Sequence, residues 1–252
     1  MVSAEVAALT QQHKKLTWQR ISIVAGLCLI AAVAFVVSNF VGAIDISPGE
    51  VIRGIVNPSS LDDQTHTVLW KLRLPMAVMA LLIGVSLSLA GAEMQTILNN
   101  PLAEPFTLGI SAAAAFGGAS SIVLKWQLLT QPQFNLALVA WLSAAVATAI
   151  IVVAAIIRGA KAETMVLLGI GLVFFFQAML ALIQYQSSAE ALQQIVFWSM
   201  GSLTRANWAA NGVLAGVLLV ALPILWALSW RLTALRLGDA RAAAMGINTA
   251  RL

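Results

Sequence analysis

Six apolar runs, each of about membrane-crossing length, decide what this chain can fold into. They lie near residues 21–41, 74–92, 107–124, 135–157, 164–185 and 210–229. A helix needs about 20 apolar residues to cross the hydrocarbon core. A helix also satisfies its own backbone hydrogen bonds where there is no water to do so. Composition agrees, because 60% of residues are hydrophobic and only 10% are charged, against about a quarter charged in a soluble domain. A water-soluble globule could not cover that much apolar surface with so few polar groups. The sequence therefore specifies an all-α, polytopic membrane helix bundle. The first run follows Lys14, Lys15 and Arg20 and ends near "VGA", as a secretory leader does. It is longer than the 7–15 apolar residues of a leader, so it reads as an uncleaved span.

Basic residues set the expected orientation, since they concentrate on the cytoplasmic side. With the N-terminus inside, nine of the 14 lysines and arginines are cytoplasmic. The expected organisation is then a cytoplasmic tail at 1–20 and a membrane bundle at 21–229, with external segments near 42–73 and 187–208. A cytoplasmic segment follows at 230–252. Trp18, Trp70, Trp126, Trp208, Trp226 and Trp230 fall near the expected boundaries, where indole bridges apolar and wet regions. In the first external segment, Ser47 reads as a helix cap with Pro48 at the first position and Glu50 at the third. In the second, Ser188 and Glu190–Trp198 read as a short amphipathic helix at the interface.

Lipid does not drive helices together, so close packing needs small side chains. The second run offers Gly84, Ser88 and Gly91 every four residues or so, and the third offers Gly109, Ala113 and Gly117. In the fifth, Gln177 and Gln184 share one face, either lining a polar pathway or bonding to neighbouring helices. The most unusual stretch is "GAEMQTILNNPLAEPFTLGIS", residues 91–111. Pro101 and Pro105 cannot donate backbone hydrogen bonds, and each disfavours helix in the residue before it. Asn99–Pro105 is therefore predicted to be a non-helical connection on the cytoplasmic side. It is either a tight interhelical loop or, through Gln95, Asn99 and Asn100, a segment beside a translocation route.

Several chemistries have no sequence basis here. There is no G-x-x-x-x-G-K-[ST], H-E-x-x-H or G-x-S-x-G. His13 and His66 are isolated and Cys28 is the single cysteine, so neither catalytic nor metal-binding residues are expected. The net charge of +4 is spread along the chain, which argues for topology and against nucleic acid as a partner.

Residues 73–117 strongly resemble permeases of the FecCD type, the transmembrane subunits of ABC importers for iron-siderophores, haem and cobalamin. The resemblance rests on Arg73–Pro75, Gly91–Ala92, Met94–Gln95, Asn100–Ala103, Pro105, Leu108–Gly109 and Ser111. It continues in "LLGIGL" at 167–172, "WSMGSL" at 198–203 and "LRLGDARAAAMG" at 235–246. Met76 replaces the second arginine of the family's R-L-P-R, and Asp239 stands for its usual glutamate. The resemblance implies a fold of about ten spans, so six spans read as an N-terminal portion of one.

The resemblance further implies a second permease subunit (identical or different), cytoplasmic ABC ATPase subunits that hold ATP and magnesium, and a periplasmic binding protein. This chain would then carry no cofactor of its own and lie in the bacterial inner membrane among lipid. Arg73 and Lys71 would dock the binding protein. Leu237, Gly238, Asp239, Ala242, Ala243, Met245 and Gly246 would form a coupling helix against the ATPase. The expected cargo is an iron-siderophore, with haem or cobalamin as alternatives. An ion-gradient-driven carrier and a non-transporting scaffold are the competing classes.

Overall fold

The computed structural model describes residues 2–42, 44–158, 162–235 and 244–246. Among these residues every regular element is helical. In chain order the α-helices are α1 (Val2–Phe40), α2 (Pro48–Val56), α3 (Asp63–Thr67), α4 (Leu74–Ile97), α5 (Ile110–Leu124), α6 (Pro132–Arg158), α7 (Ala162–Gln186), α8 (Ala189–Ser199) and α9 (Trp208–Leu235). Among the described residues, five stretches are long and apolar enough to cross a membrane: Thr10–Phe40, Asp63–Ile97, Pro132–Ile157, Glu163–Gln186 and Trp208–Ala234. The third expected span is α5, which has 15 residues and so measures only about 22 Å at 1.5 Å per residue. Pro105 and the left-handed Gly109, at φ 76°, hold the chain out of α-helix until Ile110.

The chain divides into two compact units, Met1–Leu82 with Leu203–Val213, and Ile83–Ser202 with Leu214–Leu252. In the first unit, the segment after α1 folds into short helices over a small apolar core. Ile46, Val51, Leu69 and Leu74 form that core, and Phe35, Phe40, Ile44 and Leu61 pack against it. The expected cap is present. Ser47 Oγ accepts from the Glu50 N–H, and Glu50 accepts from the Ser47 N–H at 2.8 Å. Asp62 caps α3 in the same way, accepting from the Thr65 N–H at 3.0 Å.

In the second unit, α5 is the enclosed element. Ala113 and Gly117–Ser121 are buried, and neighbouring groups approach so closely at Gly117 and Gly118 that an added Cβ would collide. A Cβ on Gly117 would lie 2.5 Å from Ser143 Cβ, and one on Gly118 would lie 2.4 Å from the Trp198 ring. That second contact seats α8, whose Ile195 is fully buried. The small residues of the third expected span therefore pack as predicted. Those of the second do not, because Gly84 and Gly91 have open space around them.

The 91–111 stretch folds into this same unit. α4 ends at Ile97, and a turn leads to a 3-10 helix at Pro105–Leu108. Leu98, Ala103 and Leu108 bury themselves with Ala113, Ala147, Ile151, Leu172 and Phe176. Gly109 and Gly169 bring α7 against residues 107–109. A Cβ on Gly169 would stand 2.8 Å from Leu108 Cα and from the Thr107 carbonyl oxygen. Gly171, two residues on, meets nothing within 4 Å.

These two glycines give a matched test of the packing. Gly169→Leu overpacks the contact between α7 and residues 107–108 and should destabilise the protein by roughly 1–3 kcal/mol. Gly171→Leu should leave stability nearly unchanged. Thermal unfolding of both variants in the same detergent checks this, and equal midpoints would contradict the packing.

Candidate docking and pathway surfaces

Arg73 ends a π-helical turn, Val68–Arg73, that leads into α4. Its guanidinium does not face outward. Arg73 is 7% exposed, with Nη1 donating to the Asn39 carbonyl at 3.0 Å and Nη2 to the Ile44 carbonyl. Both acceptors flank the end of α1, where the last helical carbonyls lack partners of their own. Gly42 makes room for this contact, since a Cβ there would sit 2.6 Å from Nη2. Lys71 is exposed. The two residues expected to act together on one surface are therefore divided, one committed to its own chain and one open. Arg53 and Arg205 are exposed in this unit too, as are Asp62 and Asp63, so its outer surface is mixed in charge.

The expected pathway residues fall into two groups, both in the second unit. Gln95, Asn99 and Asn100 come together where α4 ends, and all three are exposed. The Asn100 N–H donates to the Gln95 carbonyl at 3.1 Å. The Asn100 side chain accepts from the Leu102 N–H at 2.9 Å, a local bond that replaces part of the lost helix. Asn99 adopts φ 44°, the left-handed conformation that asparagine tolerates better than most residues. The connection is thus irregular through Glu104, as its prolines predict, and Pro105 opens a 3-10 turn instead of ending the irregular stretch. Gln177 is exposed on α7, and Gln184, two turns along the same face, is half-buried.

Of the expected coupling residues, Leu237, Gly238, Asp239, Ala242 and Ala243 lie outside the described residues. Met245 is exposed, and Gly246 has φ 79° with open space about its Cα. That conformation suits a sharp change of direction and strongly favours glycine.

Sequence reasoning missed Asn135, whose side chain organises the link between α5 and α6. Its Oδ1 accepts from the Leu128 and Leu129 N–H groups at 2.6 and 3.0 Å. Its Nδ2 donates to the Trp126 carbonyl at 2.6 Å and to Ser121 Oγ at 3.3 Å. This uses the full bonding capacity of the amide. The available signal was an asparagine three residues into a helix that begins with proline.

Short polar contacts also hold three carboxylates, Glu50, Asp62 and Glu190. The Ser47 N–H, and then its hydroxyl, hold the Glu50 carboxyl below its ordinary value. The Thr65 N–H does the same for Asp62. Glu190 is lowered by its own N–H and by the Ser188 hydroxyl.

Comparison with known proteins follows the same residues. A family model described as the FecCD transport family matches residues 28–252. A molybdate import system permease protein of Haemophilus influenzae is 31% identical over 235 residues, which is 91% of this chain and 68% of that protein. A vitamin B12 import system permease protein of Vibrio vulnificus is 34% identical over 240 residues, covering 94% of this chain and 67% of its own length. Among solved structures, an inward-facing ABC transporter assigned to the metal-chelate type matches with a TM-score of 0.76. It is 30% identical, and the match covers 91% of this chain and 69% of that one.

Two outcomes follow from the geometry. Arg73→Met leaves two carbonyls at the end of α1 without their donors and should lower stability by roughly 1–3 kcal/mol, read by thermal unfolding; an unchanged midpoint would contradict the buried contact. Because the Glu50 carboxyl is lowered in the folded state, its contribution to α2 is full above the ordinary carboxylate pKa. It is lost as pH falls through the depressed value. Glu50→Gln should remove that pH dependence from hydrogen exchange at residues 47–51, and an unaltered profile would count against the cap.

Proposed function

The chain belongs to the FecCD transport family, and from that premise we propose that it works as the membrane subunit of a binding-protein-dependent ABC importer for a metal chelate. The supporting observation is the family match over residues 28–252, within which the proline-broken 91–111 stretch is built into the core of the second unit. A broken backbone at membrane depth requires protein or a water-lined cavity around it, and here Leu98, Ala103 and Leu108 are enclosed by protein.

In this reading the cargo is an iron-siderophore, with haem or a corrinoid as the nearest alternatives. The similarity to a transporter of the metal-chelate type supports that class, and vitamin B12, named for one relative, is itself a cobalt chelate. Energy comes from ATP and magnesium held by separate cytoplasmic ATPase subunits. A second permease subunit completes the path, and a periplasmic binding protein delivers cargo from outside. The N-terminus lies in the cytoplasm of a cell whose inner membrane holds the chain. Lys71 offers an exposed cation to acidic groups of the binding protein. The segment Leu237–Gly246 meets the ATPase, with Gly246 turning the chain back toward the membrane.

Uptake into proteoliposomes tests this proposal, using the chain reconstituted with its genomically neighbouring ATPase and binding protein. Accumulation of a ferric siderophore that requires internal ATP and survives a protonophore is the expected result. Uptake driven by an ion gradient without ATP would replace it with a secondary carrier. Haem, cobalamin and molybdate in parallel identify the cargo. In the same assay Gly246→Pro, which cannot adopt φ 79°, should reduce ATP-dependent uptake at least tenfold while the chain remains in the membrane. Full activity of that variant would remove the coupling assignment.

A further inference from the structure

The wide turn at Val68–Arg73 ends just before Pro75, and the two facts are connected. In a π-turn each N–H bonds the carbonyl five residues back. Here the Leu74 N–H donates to the Leu69 carbonyl. The next bond in that series would run from residue 75 to the Trp70 carbonyl, but Pro75 has no N–H. A proline ring also collides with the carbonyl four residues back in an ordinary α-turn, here that of Lys71, so the turn opens at this place. Trp70 is left with a carbonyl and no donor in its own helix.

We propose that Trp208 is a positioning residue whose indole N–H replaces the backbone N–H that Pro75 lacks, holding the wide turn in register. Its Nε1 donates to the Trp70 carbonyl at 2.8 Å, from 138 residues away in sequence. One turn further along α9, Asn211 donates from Nδ2 to the Pro75 carbonyl at 3.0 Å. Asn211 is 3% exposed. Trp70 is held at its other end as well, since its own indole donates to the Gly54 carbonyl at 3.0 Å. The rings of Trp70 and Trp208 lie 6.1 Å apart. A tryptophan that only anchors at the membrane surface leaves its N–H to water or headgroups; this one is committed to protein. One residue of extra register turns a helix face by about 100°, so the placement of Arg73 against α1 depends on the wide turn being kept.

The test is hydrogen–deuterium exchange on the full chain in lipid nanodiscs, followed over residues 68–76. Trp208→Phe keeps an aromatic ring but loses the donor, and should speed exchange there about fivefold, the effect of one net hydrogen bond. Adding Pro75→Ala supplies an N–H at the required position and should restore protection to within about twofold of the parent. Pro75→Ala alone reads the general gain in protection from removing the proline. Trp208→Phe must cost about fivefold beside Pro75 and less than about twofold in the Pro75→Ala background. Unchanged exchange in Trp208→Phe, or no recovery in the double variant, would overturn the proposal. If Trp208→Phe does not fold, recovery of folded protein by the added Pro75→Ala supports it, and failure to recover overturns it.

Discussion

A backbone carbonyl without a donor is the constraint on which the rest of this fold depends. In a bilayer, water does not make good the loss, and an unsatisfied buried polar group costs roughly 1–3 kcal/mol. A chain with so few polar residues must place them where its helices break. It does so with economy. Arg73 serves the end of α1, and Trp208 and Asn211 serve the start of α4. Asn135 closes the link between α5 and α6, while Asn100 and Thr107 bond within the broken stretch after α4. Two of the polar residues expected on the docking and pathway surfaces, Arg73 and Asn100, are spent on backbone groups in this way.

The second constraint is proximity. Helices in lipid gain by packing closely, and small residues allow it. Gly117 and Gly118 let α6 and α8 approach α5, and Gly169 admits residues 107–108. These contacts explain how a helix of 15 residues, too short to span on its own, can be the most enclosed element of its unit. Its surroundings are protein on several sides, so its length need not match the hydrocarbon.

Much of this was legible in the sequence because the signals are local. The Ser47 box, the Ser188 cap and the helix break at Asn99–Pro105 each depend on residues within four or five of one another, and each formed as its chemistry requires. Long apolar runs marked the spans for the same reason. The third run misled at its start, because hydropathy does not register Pro105 and Gly109 as helix stops. Gly84 and Gly91 misled in another way, since spacing reports that a face is small but not whether a helix lies against it. Arg73 was the hardest to read. Near the end of an external segment a cation reads as a surface group, and only its distance from Asn39 and Ile44 in space shows its acceptors. Trp208 was similarly opaque, with a partner 138 residues away.

The matched relatives carry different printed cargoes, molybdate in one and vitamin B12 in another, on sequences about a third identical to this one. That is intelligible if packing and cargo are written in separate residues. Gly109 and Gly169 are fixed by contacts inside the second unit, so changing them costs stability whatever is transported. Gln177 is exposed and Tyr185 is 89% exposed, and both are free of that requirement. Substitution at such positions changes an exposed face without disturbing the packing inside the unit. Helix breaks and close contacts are thus under a constraint that the exposed faces escape.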